Sequence, residues 1–284
     1  MGSKNPLKLV VLLQDLEFGG TQRYTVHLLK HINRELFSPE LWVLRGGADM
    51  WPAARDAGIP IRKLSSSSWV TPWALIRLTW NVFFEQPDIL YTLTAVPNIW
   101  GRIVGTVVRV PVIVSGYRSL YTQQHERWLW HLSDRIICNA HALKDVMTGR
   151  FHVAPDRIAV IPNAVDTTYF HPEPEPEPNP RTILFVGRLV DDKDPLNLLE
   201  AFNIAAKRVP DARLEMVGNG PLISALQERV HAYDLASRVE LSPPSADVRP
   251  AMREASIFVL ASAQEASPNV IMEAMAMGLP VVAT

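Results

Sequence analysis

The sequence predicts an α/β protein built as two doubly wound parallel-sheet domains, the second of them incomplete. Three observations carry this. Short apolar runs alternate with periodic helical segments along nearly the whole chain, the pattern of a parallel sheet covered by helices on both faces. The alternation breaks once, at HPEPEPEPNP from His171 to Pro180, where alternating Glu and Pro admit neither helix nor central strand and form an extended, stiff spacer. It then resumes at Thr182 and halts on a strand, Pro280 to Thr284, with no helix behind it to cover the sheet. The boundaries read as residues 1–165, a linker over 166–180, and 181–284.

Taken in order, Leu7 to Leu13 is a continuous apolar run of buried-strand type, because a strand covered on both faces has no polar side to show. The turn QDLEFGGTQRY leads into a helix over Tyr24 to Ile32. Strands follow at Leu41 to Leu44, Ile59 to Leu64, Asp88 to Leu93, Pro111 to Ser115, Arg135 to Cys138 and Arg157 to Ile161. Helices fall between them at Trp51 to Ala57, Pro72 to Glu85, Asn98 to Val107, Gln123 to Leu132, and Ala140 to Thr148, the last ended by Gly149. The second domain repeats the scheme: strands Thr182 to Val186, Arg213 to Val217, Val239 to Leu241 and Ser256 to Ala261, with helices Pro195 to Arg208, Pro221 to Asp234 and Asp247 to Glu254. A last helix runs from Asn269 to Met277, with Ser267 as its N-cap, Pro268 at the first helical position, and Gly278 and Pro280 as the stop.

Composition narrows the function classes. The 284 residues are 48% hydrophobic and 20% charged, with a net charge of -1, so the chain builds cores and offers no basic surface for nucleic acid. Cys138 is the sole cysteine, which excludes an intrachain disulfide and any multi-cysteine metal site and suits a reducing, cytoplasmic setting. The start enters a strand without a cleavable apolar region, and no run reaches the length needed to span a bilayer, so a soluble or peripheral protein is expected. The aromatic segment Trp69 to Phe84 holds Trp69, Trp73, Trp80, Phe83 and Phe84 around Arg77. Ordinary packing on the sheet is the preferred reading, with contact at the inner face of a membrane as the alternative. Trp128 and Trp130 read as core or rim.

The candidate site residues gather at strand ends. Glu273 is the only charge in an otherwise apolar helix, which predicts burial on most faces and a partner for its carboxylate. A phosphate at the free backbone N–H groups of that helix tip, with sugar hydroxyls on Glu273 and on Glu265 eight residues earlier, would suit a sugar nucleotide; an internal ion pair for Glu273 and a solvated Glu265 is the alternative. Arg188 and Lys193 lie in VGRLVDDKDP, where two cations make a diphosphate site without a metal or else remain solvated beside Asp191, Asp192 and Asp194. Asn219 in VGNGP borders a base or is plain turn. Gly19 and Gly20 permit close approach of a ligand or only form a turn.

The order VGRL, Lys193, VGNGP, Glu265, Glu273 and EAMAMGLPVVAT, with FGGTQRYTVHL and IPNAVD before it, resembles the glycosyltransferases of family 4, of Rossmann-like GT-B fold. The resemblance covers nearly the whole chain and implies transfer of a hexose from a nucleotide-diphosphate sugar to a saccharide or lipid-linked acceptor, with retained configuration and no metal or other cofactor. By it, Arg188 and Lys193 hold the diphosphate and stabilise its departure, Glu265 faces the transferred sugar, and Glu273 binds the ribose. Asn269 and Val270 offer backbone N–H groups, and Gly19 and Gly20 admit phosphate and acceptor. The chain departs from the family pattern at Ala266, Ser267 and Pro268 in place of a glycine-containing EGFG or EGLP, at Ala164, and in SGYRSLY, where the family often has a histidine; Arg118, His125 and His141 are the residues near enough in sequence to replace it. The second expectation is a non-catalytic chain that keeps only the donor site.

Overall fold

The computed structural model describes residues 5–120, 124–172 and 181–284. They form two compact units, Met1–Asn163 and Ala164–Thr284. Most of the spacer read from Glu and Pro alternation, residues 173–180, lies outside the described residues, as does Gln123. Ahead of it, Phe170 is buried in the core of the second unit.

The first unit contains β1 (Leu7–Leu13), α1 (Gly20–His31), β2 (Phe37–Val43), α2 (Trp51–Asp56), β3 (Ile61–Lys63), α3 (Pro72–Glu85), β4 (Ile89–Leu93), α4 (Ala95–Val108), β5 (Val112–Tyr117), α5 (Glu126–Leu129), β6 (Arg135–Cys138), α6 (His141–Phe151) and β7 (Ile158–Val160). Its seven strands are parallel in the order β3-β2-β1-β4-β5-β6-β7. The alternation of side chains along β1 explains why that strand is apolar throughout. Leu9, Val11 and Leu13 enter one core with Val26 and Leu29 of α1, while Val10 and Leu12 enter the other with Leu78 and Val82 of α3 and Val104 of α4.

The second unit contains β8 (Thr182–Val186), α7 (Pro195–Ala206), β9 (Arg213–Val217), α8 (Ile223–Ala232), β10 (Val239–Ser242), α9 (Arg249–Glu254), β11 (Ile257–Leu260), α10 (Asn269–Ala276) and β12 (Val281–Ala283). Its five parallel strands run β10-β9-β8-β11-β12. The order reverses between β1 and β4 in the first sheet and between β8 and β11 in the second, which fixes where a doubly wound sheet binds its ligands.

Several expectations need correction. The helix predicted to end before Gly149 continues to Phe151, which is 2% exposed; burial of Phe151 outweighs the cost of a helical glycine, and His152 ends the helix at φ 56°. β2 starts four residues earlier than its apolar run, and Pro39 is tolerated because β3 pairs only with Leu41 to Val43. Pro268 is itself the extended N-cap of α10, one place after the predicted Ser267. That helix is not buried all round: Met275 is 63% exposed, while Glu273 and Ala274 face inward. The aromatic segment packs on the sheet through Leu78 and Val82, but its aromatics take no part in this: Trp69, Trp73, Trp80, Phe83 and Phe84 are all exposed, and Trp128 lies outside any core.

Candidate active site

At the reversal point of the second sheet, two loops carry the charged candidates. The chain leaving β8 passes Gly187 and Arg188 and tightens into a 3-10 turn at Asp191–Lys193. The chain leaving β11 passes Ser262 and Glu265. The Ala263 N–H donates to the Asp192 carbonyl at 3.0 Å, which fastens one loop to the other. Across that fastening the Lys193 ammonium pairs with Glu265 Oε1. The same carboxylate oxygen accepts from Ser262 Oγ at 3.0 Å, and Ser262 is itself buried.

Glu265 is therefore a held acid and not a solvated loop charge. Lys193 is likewise half-buried, and burial, followed by repulsion from Arg188, pushes its ammonium down to about 8, with Asp192 acting in the other direction. Arg188 is exposed and makes no hydrogen bond or ion pair among the described residues. The arrangement is one guanidinium open to solvent, one ammonium made easy to deprotonate, and one carboxylate beside it.

The loop after β9 is stacked on the loop after β8. Leu189 N–H donates to the Asn219 carbonyl at 2.9 Å, and Leu222 N–H to the Leu189 carbonyl at 3.2 Å. A Cβ on Gly218 would stand 1.9 Å from the Gly187 carbonyl oxygen, and one on Gly220 would stand 2.2 Å from that of Leu189. The glycines of VGNGP thus serve the contact between the two loops. Asn219 is exposed there, its side-chain oxygen accepting the Gly220 N–H at 2.8 Å. Asn269 and Val270 occupy the first turn of α10, half-buried, and Glu273 lies 4% exposed one turn further on.

The structure thus joins Lys193 to Glu265, sets Arg188 near enough to depress Lys193, and puts Asn219 on the adjoining loop. Sequence reading missed Ser262; its only signal is a small polar residue where the apolar strand β11 ends.

In the first unit Gly19 is the extended N-cap of α1 and Gly20 its first residue. A Cβ on Gly19 would meet only the movable Gln22 side chain, at 2.4 Å, and Gln22 is held by Asp15 at 2.8 Å. Tyr24 of FGGTQRYTVHL and Asn163 of IPNAVD both meet Arg118, beyond the end of β5. Its guanidinium lies 3.4 Å from the centroid of the Tyr24 ring and donates to Asn163 Oδ1 at 2.5 Å. Burial lowers the Arg118 pKa, with Tyr24 and Tyr91 acting to raise it. His125 is turned to Glu126, 3.3 Å away, and His141 is exposed at the start of α6.

Residues 18–169 match the family model described as Glycosyltransferase Family 4, and residues 180–284 match the one described as Glycosyl transferases group 1. The Escherichia coli UDP-Gal:alpha-D-GlcNAc-diphosphoundecaprenol alpha-1,3-galactosyltransferase is 29% identical over 221 residues, 69% of this chain and 57% of that one. The GPI3 subunit of Saccharomyces cerevisiae phosphatidylinositol N-acetylglucosaminyltransferase is 30% identical over 160 residues, 53% of this chain and 35% of its own. The chain therefore spans well under two thirds of the length of these relatives. Among solved structures, Anabaena HepE in complex with UDP-glucose aligns with TM-score 0.84 at 18% identity, over 98% of this chain and 80% of that one. A Rickettsia africae glycosyltransferase aligns with TM-score 0.78 at 18% identity, over 99% and 79%. At such identity the likeness concerns the fold, and each unit has the Rossmann-like form from which GT-B proteins are built.

Proposed function

The chain belongs to Glycosyltransferase Family 4, and on that premise we propose that it moves a hexose from a nucleoside-diphosphate sugar to a saccharide or lipid-linked acceptor, with retention of configuration. The observation that supports this best is the half-buried Lys193 held on Glu265 beside an open Arg188, at the reversal point of the second sheet. As the bond from the sugar carbon to the diphosphate oxygen breaks, the departing diphosphate gains negative charge. Preorganised cations at that point lower the barrier. Arg188 and Lys193 supply them without a bound metal. Glu265 takes the sugar hydroxyls, Glu273 the ribose, and the N–H groups of Asn269 and Val270 the donor phosphate. Gly19 and Gly20 let acceptor and phosphate come close to the backbone of the first unit. The acceptor hydroxyl then bonds through its oxygen to the same sugar carbon, from the face the diphosphate leaves, and gives its proton to the departing diphosphate oxygen.

Uridine diphosphate sugars are the first donors to try, since HepE was crystallised with UDP-glucose and the Escherichia coli relative is named for UDP-Gal. No helix among the described residues is long and apolar enough to cross a membrane, and we place the protein on the cytoplasmic side, reaching a lipid-linked acceptor from the membrane's inner face. The test is release of nucleoside diphosphate from a panel of sugar nucleotides. Wild-type protein should release it from at least one donor, Glu265→Gln should stop turnover, and Arg188→Ala should weaken donor binding and departure. Release from none by folded protein, with donor still bound, would leave a binding protein and end the transferase reading.

A further inference from the structure

The two helices α3 and α4 present a surface that the donor chemistry does not use. A helix on a soluble sheet normally turns its large apolar side chains inward and its polar ones out. α3 does the reverse in part: it buries the small or medium residues Ala74, Leu78 and Val82 and exposes Trp73, Ile76, Trp80, Phe83 and Phe84. Trp73 and Trp80 are 71% and 66% exposed. Beside them, α4 exposes Trp100 and Val107, and a groove of about 230 Å³ runs between the helices, floored by Leu75, Ile103 and Val104.

Charge on this face has one sign. α4 has no acidic residue, and the only acid of α3 is Glu85 at its last position, where Lys8 and Arg62 pair with it. Arg77 is exposed among the aromatics and Arg109 is exposed at the end of α4. A carboxylate-free face of tryptophan and phenylalanine with arginine at its centre and margin complements a surface that is apolar inside and anionic at its rim. Indole rings favour the boundary between acyl chains and headgroups, and arginine favours anionic headgroups.

We propose that the α3–α4 face of the first unit docks on an anionic phospholipid bilayer, with Trp73, Trp80 and Phe84 entering the interface and Arg77 and Arg109 meeting the lipid phosphates. This deepens the placement at the membrane's inner face, and it needs neither donor nor acceptor, so it stands or falls apart from the transferase reading. The experiment is flotation of the whole chain with vesicles of phosphatidylcholine, alone or mixed with phosphatidylglycerol, containing no glycosyl acceptor. Wild-type protein should float with the mixed vesicles, more weakly with phosphatidylcholine alone, and less at high salt. The double variant Trp73→Ser, Trp80→Ser should lose about tenfold or more in partitioning. Its melting temperature should hold, because both side chains already face solvent. Trp128→Ser, on α5, should float as wild type. Flotation unchanged in the double variant, or absent in wild type, overturns the proposal. A concentration-dependent dimer that the same double variant abolishes, without vesicle binding, assigns the face to a second copy and overturns it equally.

Discussion

Lys193 and Glu265, 72 residues apart in sequence, form an ion pair across two loops at the edge of one sheet. The pairing follows from topology. β8 and β11 are neighbours, so the segments leaving their carboxyl ends must meet, and the Ala263 to Asp192 backbone bond sets the spacing. The cation proposed for the diphosphate and the acid proposed for the sugar hydroxyls thus restrain each other, which would order both before a donor arrives.

The first prediction concerns pH. Burial and Arg188 hold the Lys193 ammonium at about 8, below the ordinary lysine value of 10.5, while Asp192 pulls upward. If only the ammonium form holds the diphosphate, donor affinity falls roughly eightfold between pH 7.5 and pH 9. Calorimetric titration with the donor in buffers of different ionisation enthalpy should show proton uptake near pH 8. Replacement by Asp192→Asn removes the upward pull and should shift the fall to lower pH. Stability moves the opposite way: between about 8 and 10.5 the unfolded chain binds the proton that the folded one has released, so this group makes folding more favourable as pH rises through that window. Affinity that stays flat to pH 9.5 would remove Lys193 from the donor site.

The second prediction separates packing glycines from permissive ones. Gly218→Ala and Gly220→Ala would drive a methyl group into the carbonyls of Gly187 and Leu189, where the loop backbone has to move, and each should cost about 1–3 kcal/mol. Both should also weaken donor binding by shifting Arg188. Gly149→Ala is the contrasting case. It sits inside α6 with nothing within 4 Å of an added Cβ, so it should stabilise by about 1 kcal/mol. Urea denaturation of the three variants decides between the two classes.

The legible part of the fold is what periodicity controls. Pro72–Glu85 and Arg135–Cys138 match the sequence reading to the residue, because a Thr71 cap bonded to the Ala74 N–H and a dense apolar run are local signals. The first residues of β2, Phe37 to Glu40, lie outside its apolar run because they mix polar residues and Pro39, which the sheet accepts where β3 has not yet begun. The end of α6 was misplaced because the hold on Phe151 is tertiary. At the site, residue types were legible from motif order, but pairing was not: nothing in VGRLVDDKDP says that Lys193 meets Glu265 and not Asp192. For a related reason composition places α3 on the sheet without telling which of its faces meets it, so the outward turn of Trp73, Trp80, Phe83 and Phe84 is not legible.

A lone charge in an apolar helix marks a buried polar contact in both units. Glu273, a lone charge in an apolar helix, is buried; Arg102 is the lone charge of α4 and is fully buried too. Its guanidinium donates to Ser115 Oγ at 2.8 Å, to Glu126 Oε2 at 2.7 Å and to the Tyr117 hydroxyl, and Tyr117 donates to the same Glu126 oxygen. A buried pair costs much desolvation and returns it only while both partners remain. Glu126→Gln should therefore destabilise the protein by about 3–5 kcal/mol, since it strands a cation in the core. Joint replacement by Arg102→Met and Glu126→Leu removes both desolvation costs and should restore most of that loss. Thermal melts of the single and double variants give the answer, and a double variant no more stable than Glu126→Gln would mean that the network contributes through its full set of hydrogen bonds and not through charge balance.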